Sequence, residues 1–254
     1  MKICCFRAKP LGVVAFVLAV LTLAICVCAT AETKVVASGY VARKVPVYYV
    51  DTEEKKIAIT FDAAWGADKT QQIVDILKEK GVKATFFLVG FWVEDYPEMV
   101  KVIDDAGMEI GTHSNTHPKM SGLSEMQIRE ELQTSIDLIQ RITNKNISVF
   151  RPPFGDYNDR LISVCESMGL QAIQWDVDSL DWKGIGAGEI LNRIGKGVRN
   201  GSIILCHNNS DHIVDALPTI IDTLTERGYE FVTVGDLLIK GPYVVDNNGM
   251  QKRA

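Results

Sequence analysis

The sequence predicts an α/β protein in which a parallel sheet is covered by helices on both faces. Seven short apolar runs alternate with six helix-like stretches between residues 57 and 232, the pattern expected of repeated strand–helix–strand units. Within the helix-like stretches apolar residues recur three and four positions apart, which indicates one buried face per helix. This pattern is typical both of an open doubly wound sheet and of a barrel.

The predicted strands are apolar runs of three to six residues, and one predicted helix follows each of the first six. The strands are Ile57–Phe61, Ala84–Val89, Met108–Thr112, Ser148–Phe150, Leu170–Trp175, Ser202–Leu205 and Glu230–Val232. The helices are Lys69–Lys80, Pro97–Ala106, Ser124–Thr143, Asn158–Met168, Gly188–Val198 and Ile213–Arg227. Glycines follow four of these helices, where a left-handed residue commonly ends a helix: Gly81, Gly107, Gly169 and Gly228.

The N-terminal 31 residues differ in character from the rest of the chain. Lys2, Arg7 and Lys9 precede a run of 19 nearly apolar residues that ends in the small residues of a cleavage site. Residues 1–31 therefore predict a signal peptide or, because about 20 apolar residues span a bilayer, an uncleaved N-terminal membrane anchor. Either alternative places the remaining chain outside the cytoplasmic membrane, with membrane contact only through this segment. Residues 32–54 are predicted to be an exposed lead-in and 241–254 a polar tail.

The composition is that of a globular protein and does not favour a nucleic-acid partner. Hydrophobic residues make up 47% and charged residues 23% of the chain, which is ordinary globular usage. The formal net charge is −5 without a basic block, so a nucleic-acid partner is not expected. Cys165 and Cys206 are the cysteines beyond the leader and form no CxxC pair, so we expect two free, buried thiols. We expect a monomer.

Ionisable residues follow five of the predicted strands at the same end. In parallel architectures ligands bind at the carboxyl ends of the strands. These positions therefore predict an active site. Its candidates are Asp62, His113, His117, Arg151, Asp176, Asp178, Asp181 and His207.

The spacing of His113 and His117 suits two imidazoles on one metal ion. Imidazole binds zinc, and also cobalt, nickel or iron, so the spacing does not choose the metal. A divalent ion would polarise a carbonyl and lower the pKa of water to about 7. Asp62 is placed to act as general base and His207 as general acid.

The chain resembles the polysaccharide deacetylases, carbohydrate esterase family 4 with its NodB-homology domain, over residues 55–240. The resemblance is carried by five motifs in the family's order: Thr60-Phe61-Asp62, His113-Ser114-Asn115-Thr116-His117, Arg151-Pro152-Pro153-Phe154-Gly155, Asp178-Ser179-Leu180-Asp181-Trp182 and Leu205-Cys206-His207. Three further stretches look closest to the sporulation-type branch: Ala63-Ala64-Trp65-Gly66, Val89-Gly90-Phe91-Trp92-Val93 and Ile173-Gln174-Trp175-Asp176-Val177-Asp178.

The resemblance implies a distorted (β/α)7-8 barrel of the polysaccharide deacetylase type. It implies metal-dependent N-deacetylation of an N-acetylglucosamine or N-acetylmuramic acid polymer, such as peptidoglycan or spore cortex. The location would be the cell wall or the forespore envelope. By resemblance, Asp62 would be the catalytic base, oriented by Arg151, and His207 the catalytic acid, paired with Asp181. The metal ligands would be His113 and His117. The residues of the substrate groove would be Pro152, Pro153, Phe154, Trp182 and Leu205.

One position departs from the family pattern. The first motif of the family usually carries two adjacent aspartates, the second being the third metal ligand, and here that position is Ala63. The resemblance therefore implies weakened binding of zinc, cobalt or nickel. Three alternatives follow from Ala63. Asn115 or Asp68 would replace the missing ligand, the ion would be held loosely by the two histidines, or the site would have lost both the metal and the activity.

Other interpretations remain open. Because of Ala63, the chain would alternatively be a catalytically silent, glycan-binding cell-wall protein. A weaker interpretation is a glycosidase that uses Asp178 and Asp181. Trp65 and Trp182 fall in predicted loops, where they would stack on sugar rings or serve as core residues.

Overall fold

The computed structural model describes residues 43–254, whose strands form two sheets. The large sheet contains eight strands and the small one three. In chain order the strands are β1 (Tyr49–Val50), β2 (Lys56–Ala63), β3 (Thr85–Leu88), β4 (Glu109–Thr112), β5 (Val149–Phe150), β6 (Gln171–Ala172), β7 (Val177–Asp178), β8 (Ile203–His207), β9 (Glu230–Phe231), β10 (Tyr243–Val245) and β11 (Met250–Arg253).

Helices connect most of the strands of the large sheet. They are α1 (Thr70–Glu79), α2 (Gly90–Asp95), α3 (Pro97–Asp105), α4 (Glu125–Thr143), α5 (Asp159–Ser167), α6 (Ala187–Gly197), α7 (Ile213–Glu226) and α8 (Val234–Leu237). Short 3₁₀ turns lie at Met120–Gly122, Pro153–Gly155 and Asp181–Lys183. All six predicted helices are present, and their ends lie within one residue of the predicted ones.

The large sheet is parallel throughout and curls into a half-barrel. Its strands run in the order β6-β5-β4-β3-β2-β8-β7, and β9 pairs with the start of β2. The register sets Asp62 beside Phe87 on one side and His207 on the other. The predicted parallel α/β architecture is confirmed, and its register brings two predicted site residues onto adjacent strands.

Two apolar clusters lie on opposite faces of β2, because successive side chains of a strand alternate in direction. Ile57, Ile59 and Phe61 belong to the large cluster, which also contains the buried helix residues. Ala58 belongs to the smaller cluster inside the curl of the sheet, whereas Asp62 lines a cavity at the carboxyl end of the strand. The strand therefore delivers Asp62 to the interior while its odd-numbered neighbours hold the helices.

Helix α4 shows how local sequence fixes an element. Ser124 caps it by accepting the backbone N–H of Gln127, whose side chain returns to the Ser124 backbone, so that two otherwise free N–H groups are satisfied. The helix ends at Asn144, which adopts a left-handed conformation with φ of 53°. The helix therefore stops at the residue type that best tolerates this geometry after glycine.

The ends of the described chain differ from the predicted lead-in and tail. Residues 241–254 contain β10 and β11, and β11 pairs in parallel with β1 to give the small sheet. Gln251 is buried, and its Oε1 accepts the backbone N–H of Ile239 at 2.8 Å. Val47, placed by the sequence in an exposed lead-in, is fully buried. The polar tail was a wrong prediction because its polar residues pair through backbone and amide hydrogen bonds.

The two cysteines beyond the leader are free and buried, as predicted. Burial raises the pKa of the Cys165 thiol to about 12, so this thiol stays protonated and inert. The predicted signal peptide or anchor at 1–31 lies outside the described residues. In residues 43–254 no helix has the length and apolar character needed to cross a membrane.

Candidate active site

A cavity of about 580 Å³ opens at the carboxyl ends of the strands, where the sequence predicted the site. Most of the predicted site residues line it, and two of the ionisable candidates do not. Arg151 lies buried beneath Asp62, and Asp176 instead accepts hydrogen bonds from the Ile203 backbone N–H at 2.9 Å and from Ser202 Oγ at 3.0 Å. The predicted residues in the lining are Asp62, His113, His117, Pro152, Phe154, Asp178, Asp181, Trp182, Leu205 and His207.

Asp62 is held by a fully buried arginine. Arg151 Nη1 donates to Asp62 Oδ1 at 2.8 Å and to Thr60 Oγ1 at 2.7 Å. Its Nη2 donates to the carbonyl of Gln174 at 3.0 Å, and the guanidinium stacks 4.3 Å from the ring centroid of Phe87. Burial by itself raises the pKa of Asp62, but the charge and hydrogen bond of Arg151 oppose it, and the net effect lowers that pKa. Asp62 is therefore an ionised carboxylate with one oxygen left to face the cavity.

His113 presents an unprotonated nitrogen to the same space. Its Nδ1 lies 2.7 Å from the backbone carbonyl of Arg151, which only accepts hydrogen bonds, so Nδ1 carries the proton. Its Nε2 lies 3.5 Å from Asp62 Oδ2. Burial lowers the pKa of His113 more than the Asp62 charge raises it. The imidazole is therefore neutral, the state in which histidine binds a metal.

His117 is packed between aromatic rings. Its ring centroid lies 4.9 Å from that of Trp65, 4.6 Å from Phe154 and 4.9 Å from His113. Burial and the neighbouring His113 lower the pKa of His117 to about 4. Its backbone has a φ of 59°, and its N–H donates to Ser114 Oγ at 3.0 Å. A non-glycine residue kept in this unfavourable conformation is typical of a functional site.

The two histidines fit a divalent ion through two protein ligands. Both imidazoles are neutral, and they suit borderline ions such as zinc, cobalt and nickel. Catalytic zinc sites normally have three protein ligands. Within residues 43–254 no group of three or more His, Cys, Asp and Glu side chains is arranged to hold a metal.

The position of Ala63 shows why the third metal ligand of the family pattern is missing. Its side chain is fully buried in the large apolar cluster, on the face of β2 opposite Asp62. The proposed substitutes do not reach the cavity lining: Asp68 is exposed, and Asn115 Oδ1 is buried without a hydrogen-bond partner. A Cβ at Gly90 would lie 2.1 Å from that Asn115 oxygen, so the Asn115 amide is packed against the start of α2. Substitution by Asp68 or Asn115 is therefore not supported.

His207 and Asp181 form the second ionic pair of the site. His207 Nδ1 lies 2.7 Å from Asp181 Oδ1, and the His207 backbone N–H donates to Asp181 Oδ2 at 2.8 Å. Ser210 Oγ and the Trp182 backbone N–H also donate to this carboxylate, each at 2.9 Å. Burial would lower the pKa of His207, but the hydrogen bond and charge of Asp181 outweigh it and raise that pKa. His207 therefore keeps its proton to a higher pH than a free histidine.

Exposed aromatic side chains surround the mouth of the cavity. Phe154 and Trp182, both predicted groove residues, are 64% and 58% exposed, and Trp65 is 64% exposed. Leu205 is buried deeper in the lining. Pro153, predicted to shape the groove with Pro152, is instead buried outside the lining, because the turn at Pro153–Gly155 directs Phe154 to the surface.

Several supporting residues were not predicted. Thr60 lies in the first motif without an assigned role, yet its hydroxyl accepts from Arg151 and donates to the Ile204 carbonyl at 2.6 Å. Asn208 is buried, and its Nδ2 donates to the carbonyl of Gly66 at 2.9 Å. For Thr60 the sequence did offer a signal, because strand alternation places it on the same face of β2 as Asp62. No feature of the sequence pointed to Asn208.

Comparison with known proteins gives concordant matches. A family model described as "Polysaccharide deacetylase" matches residues 49–173. The chain is 37% identical over 188 residues to the peptidoglycan-N-acetylmuramic acid deacetylase PdaC of Bacillus subtilis, covering 74% of this chain and 40% of that protein, so it spans less than half the length of PdaC. It is 34% identical over 206 residues to a peptidoglycan-N-acetylglucosamine deacetylase of Bacillus cereus, covering 79% of this chain and 94% of that protein.

Among solved structures, a CE4 family pseudoenzyme from Bacillus anthracis is similar with a TM-score of 0.74 and 36% identity, covering 76% of this chain and 68% of that one. A mutant of that protein, described as having restored enzymatic activity, matches with the same TM-score and 37% identity, covering 76% of this chain and 71% of that one. These similarities confirm the predicted fold of the polysaccharide deacetylase type.

Proposed function

This chain belongs to the polysaccharide deacetylase family of hydrolases, and from that premise we propose that it removes acetyl groups from an N-acetylhexosamine polymer of the bacterial cell wall. The polymer would be peptidoglycan or spore cortex, built of N-acetylglucosamine and N-acetylmuramic acid. The protein would act as a monomer outside the cytoplasmic membrane, in the wall or the forespore envelope.

The observation that carries this proposal is the placement of the Asp62 carboxylate and the His207 imidazole in one cavity. Asp62 and His207 occupy opposing positions on adjacent strands, and each has its own buried partner. The partners shift the two pKa values in opposite directions, lower for Asp62 and higher for His207. A pair of groups poised in this way is suited to general base and general acid work.

In amide hydrolysis, Asp62 would take a proton from water as the water oxygen bonds to the acetyl carbonyl carbon. Arg151 keeps Asp62 in place and ionised. His207 would then give its proton to the amide nitrogen as the carbon–nitrogen bond breaks, and Asp181 stabilises the charged imidazole meanwhile. The products are acetate and a free amino sugar.

His113 and His117 would hold a divalent ion, zinc being favoured and cobalt or nickel suitable as well. Such an ion supplies polarisation of the acetyl carbonyl and a lower pKa for water. With Ala63 in place of a carboxylate we expect this ion to be bound weakly.

The experiment is acetate release from N-acetylglucosamine oligomers and from peptidoglycan, with added zinc or cobalt and with chelator. We expect metal-dependent release that is lost in Asp62→Asn. Asp95→Asn, a matched change at an exposed residue at the end of α2, should retain it. Release in Asp62→Asn equal to that of the unmodified protein would contradict the role of Asp62.

The second candidate is a catalytically silent glycan-binding protein of the cell wall. Ala63 favours it, as does the similarity to the Bacillus anthracis pseudoenzyme. No acetate release with any metal, together with release by Ala63→Asp, would support this alternative.

A further inference from the structure

Trp65 is a large apolar side chain displayed at the mouth of the cavity. It lies in the loop between β2 and α1, two residues after Ala63, and is 64% exposed. It lines the cavity, and its ring packs edge-on against His117 with centroids 4.9 Å apart. A tryptophan in this position loses most of the free energy that its burial would supply, about 25 cal/mol for each Å² left in water.

The exposure of Trp65 does not result from a loose loop. The carbonyl of the next residue, Gly66, accepts hydrogen bonds from Trp92 Nε1 at 2.7 Å and from Asn208 Nδ2 at 2.9 Å. Gly66 has a φ of 63°, and a Cβ there would lie 2.4 Å from Asn209 Nδ2, so glycine is favoured at this position. Two buried donors and a glycine therefore hold the Trp65 ring at the rim.

Trp65 has no role among the five family motifs, although it lies at the rim of the cavity. Trp65 follows β2 and Trp182 follows β7, and these strands flank β8, which carries His207. A ligand that touched both indoles would cross the cavity over His207. A chain of sugar rings offers a repeated apolar face to such a pair of rings, because the C–H groups on one face of a pyranose fit the negative face of an aromatic ring.

We propose that Trp65 forms a sugar-stacking subsite, so that the cavity binds a chain of N-acetylhexosamine units between Trp65 and Trp182 without needing a metal ion. The inference rests on the proposed function for the class of glycan, and it concerns binding rather than chemistry. Trp65 would thus determine which glycans the cavity binds.

The test is calorimetric titration of the protein with N-acetylglucosamine tetramer in chelator, so that neither metal nor turnover contributes. Removing one stacked ring in Trp65→Ala should weaken binding about tenfold, which corresponds to about 1.4 kcal/mol. Trp65→Phe keeps an aromatic face and should recover most of the affinity. Met126→Ala, at a 76% exposed residue on α4 outside the cavity lining, should bind as the unmodified protein does.

The outcomes separate this inference from the proposed activity. Loss of binding in Trp65→Ala in a protein that releases no acetate supports the subsite and contradicts the activity. Acetate release with unchanged tetramer affinity in Trp65→Ala supports the activity and overturns the subsite. Circular dichroism of Trp65→Ala establishes that the variant is folded, and Trp65→Phe should remain close to the unmodified protein. Failure of the unmodified protein to bind the tetramer also overturns the inference.

Discussion

Arg151 donates a 2.8 Å hydrogen bond to Asp62 from a position that solvent does not reach. Asp62 lies on β2 and Arg151 directly follows β5, so the pair couples the stability of the half-barrel to the ionisation of the candidate base. A buried charge of this kind is tolerated because its partner neutralises it.

Arg151→Gln should unfold more readily than the unmodified protein. The variant leaves the Asp62 carboxylate buried without its partner, and breaking a buried pair in this way costs about 3–5 kcal/mol. Urea unfolding followed by circular dichroism measures the difference. Arg129→Gln, at an exposed arginine on α4, should change the free energy of unfolding by less than about 0.5 kcal/mol. Equal stability of the two variants would contradict the importance of the Asp62–Arg151 pair.

Thr60→Val tests the hydroxyl that supports Arg151. Valine keeps the shape of threonine but removes the acceptor for Arg151 Nη1 and the donor to the Ile204 carbonyl. Leaving a buried polar group unpaired costs about 1–3 kcal/mol, and two groups lose a partner here, so we expect a loss of stability of at least about 1 kcal/mol. Thr60→Ser keeps the hydroxyl and should lose less. Thermal unfolding of both variants gives the comparison, and a larger loss in serine than in valine would refute the explanation.

The raised pKa of His207 predicts how activity depends on pH. His207 must carry a proton to act as the acid, so activity persists below its pKa and falls as pH rises through it. Burial opposes the shift, but Asp181 raises the pKa above the ordinary 6.5, so the fall is expected above pH 6.5. Asp181→Asn should move it to lower pH.

Proton NMR titration of the His207 ring checks this pH dependence without requiring turnover. A His207 midpoint that is unchanged in Asp181→Asn would show that Asp181 does not set its pKa.

Ala63→Asp should make the stability of the protein depend on divalent metal. The added carboxylate enters a fully buried position in the large apolar cluster, where an unpaired charge is unfavourable by about several kcal/mol. Ala63 is the last residue of β2, and the prediction requires the longer side chain to turn from the buried face of the strand toward the cavity. An ion held by His113, His117 and the new carboxylate would then offset the loss.

Thermal unfolding with zinc and with chelator checks this metal dependence. The difference between the two conditions should be larger in Ala63→Asp than in the unmodified protein. Ala63→Asn, without the charge, should respond less. An equal response in all three proteins would contradict the prediction.

Removal of residues 241–254 should destabilise the half-barrel. The deletion takes away β10 and β11, leaves β1 without its parallel partner and leaves the Ile239 N–H without the Gln251 acceptor. We expect a lower unfolding midpoint in urea, whereas replacing exposed Arg253 by Gln should leave it unchanged within error. A truncated protein as stable as the full chain would show that the small sheet is dispensable.

Much of the fold could be predicted because its signals are local. The apolar residues of β2 alternate between the two clusters, and α4 carries its own cap and apolar stripe. β7 has two residues between polar neighbours, so neither length nor alternation marks it. β11 is a strand because of its partners, and its own sequence has no strand pattern. The Tyr243–Val245 run of β10 does contain strand-favouring residues, but it is only three residues long.

The candidate site could also be predicted where its signals are local to the sequence. Residues at strand ends, such as Asp62, His113 and His207, follow from the parallel sheet alone. Ser210 donates to the Asp181 carboxylate, and Asn208 donates to the Gly66 carbonyl, and both acceptors come from distant parts of the chain. Their partners are set by tertiary packing, which local sequence does not encode.

The pairing of β1 with β11 joins Tyr49 to Met250, nearly the two limits of the described residues. Contacts between such distant residues form late, because closing a long loop costs entropy before any contact compensates for it. The small sheet therefore cannot assemble until residues 250–253 have been synthesised. A nascent chain that still lacks them holds β1 without its parallel partner, so this corner of the molecule completes its folding only after those residues have left the ribosome.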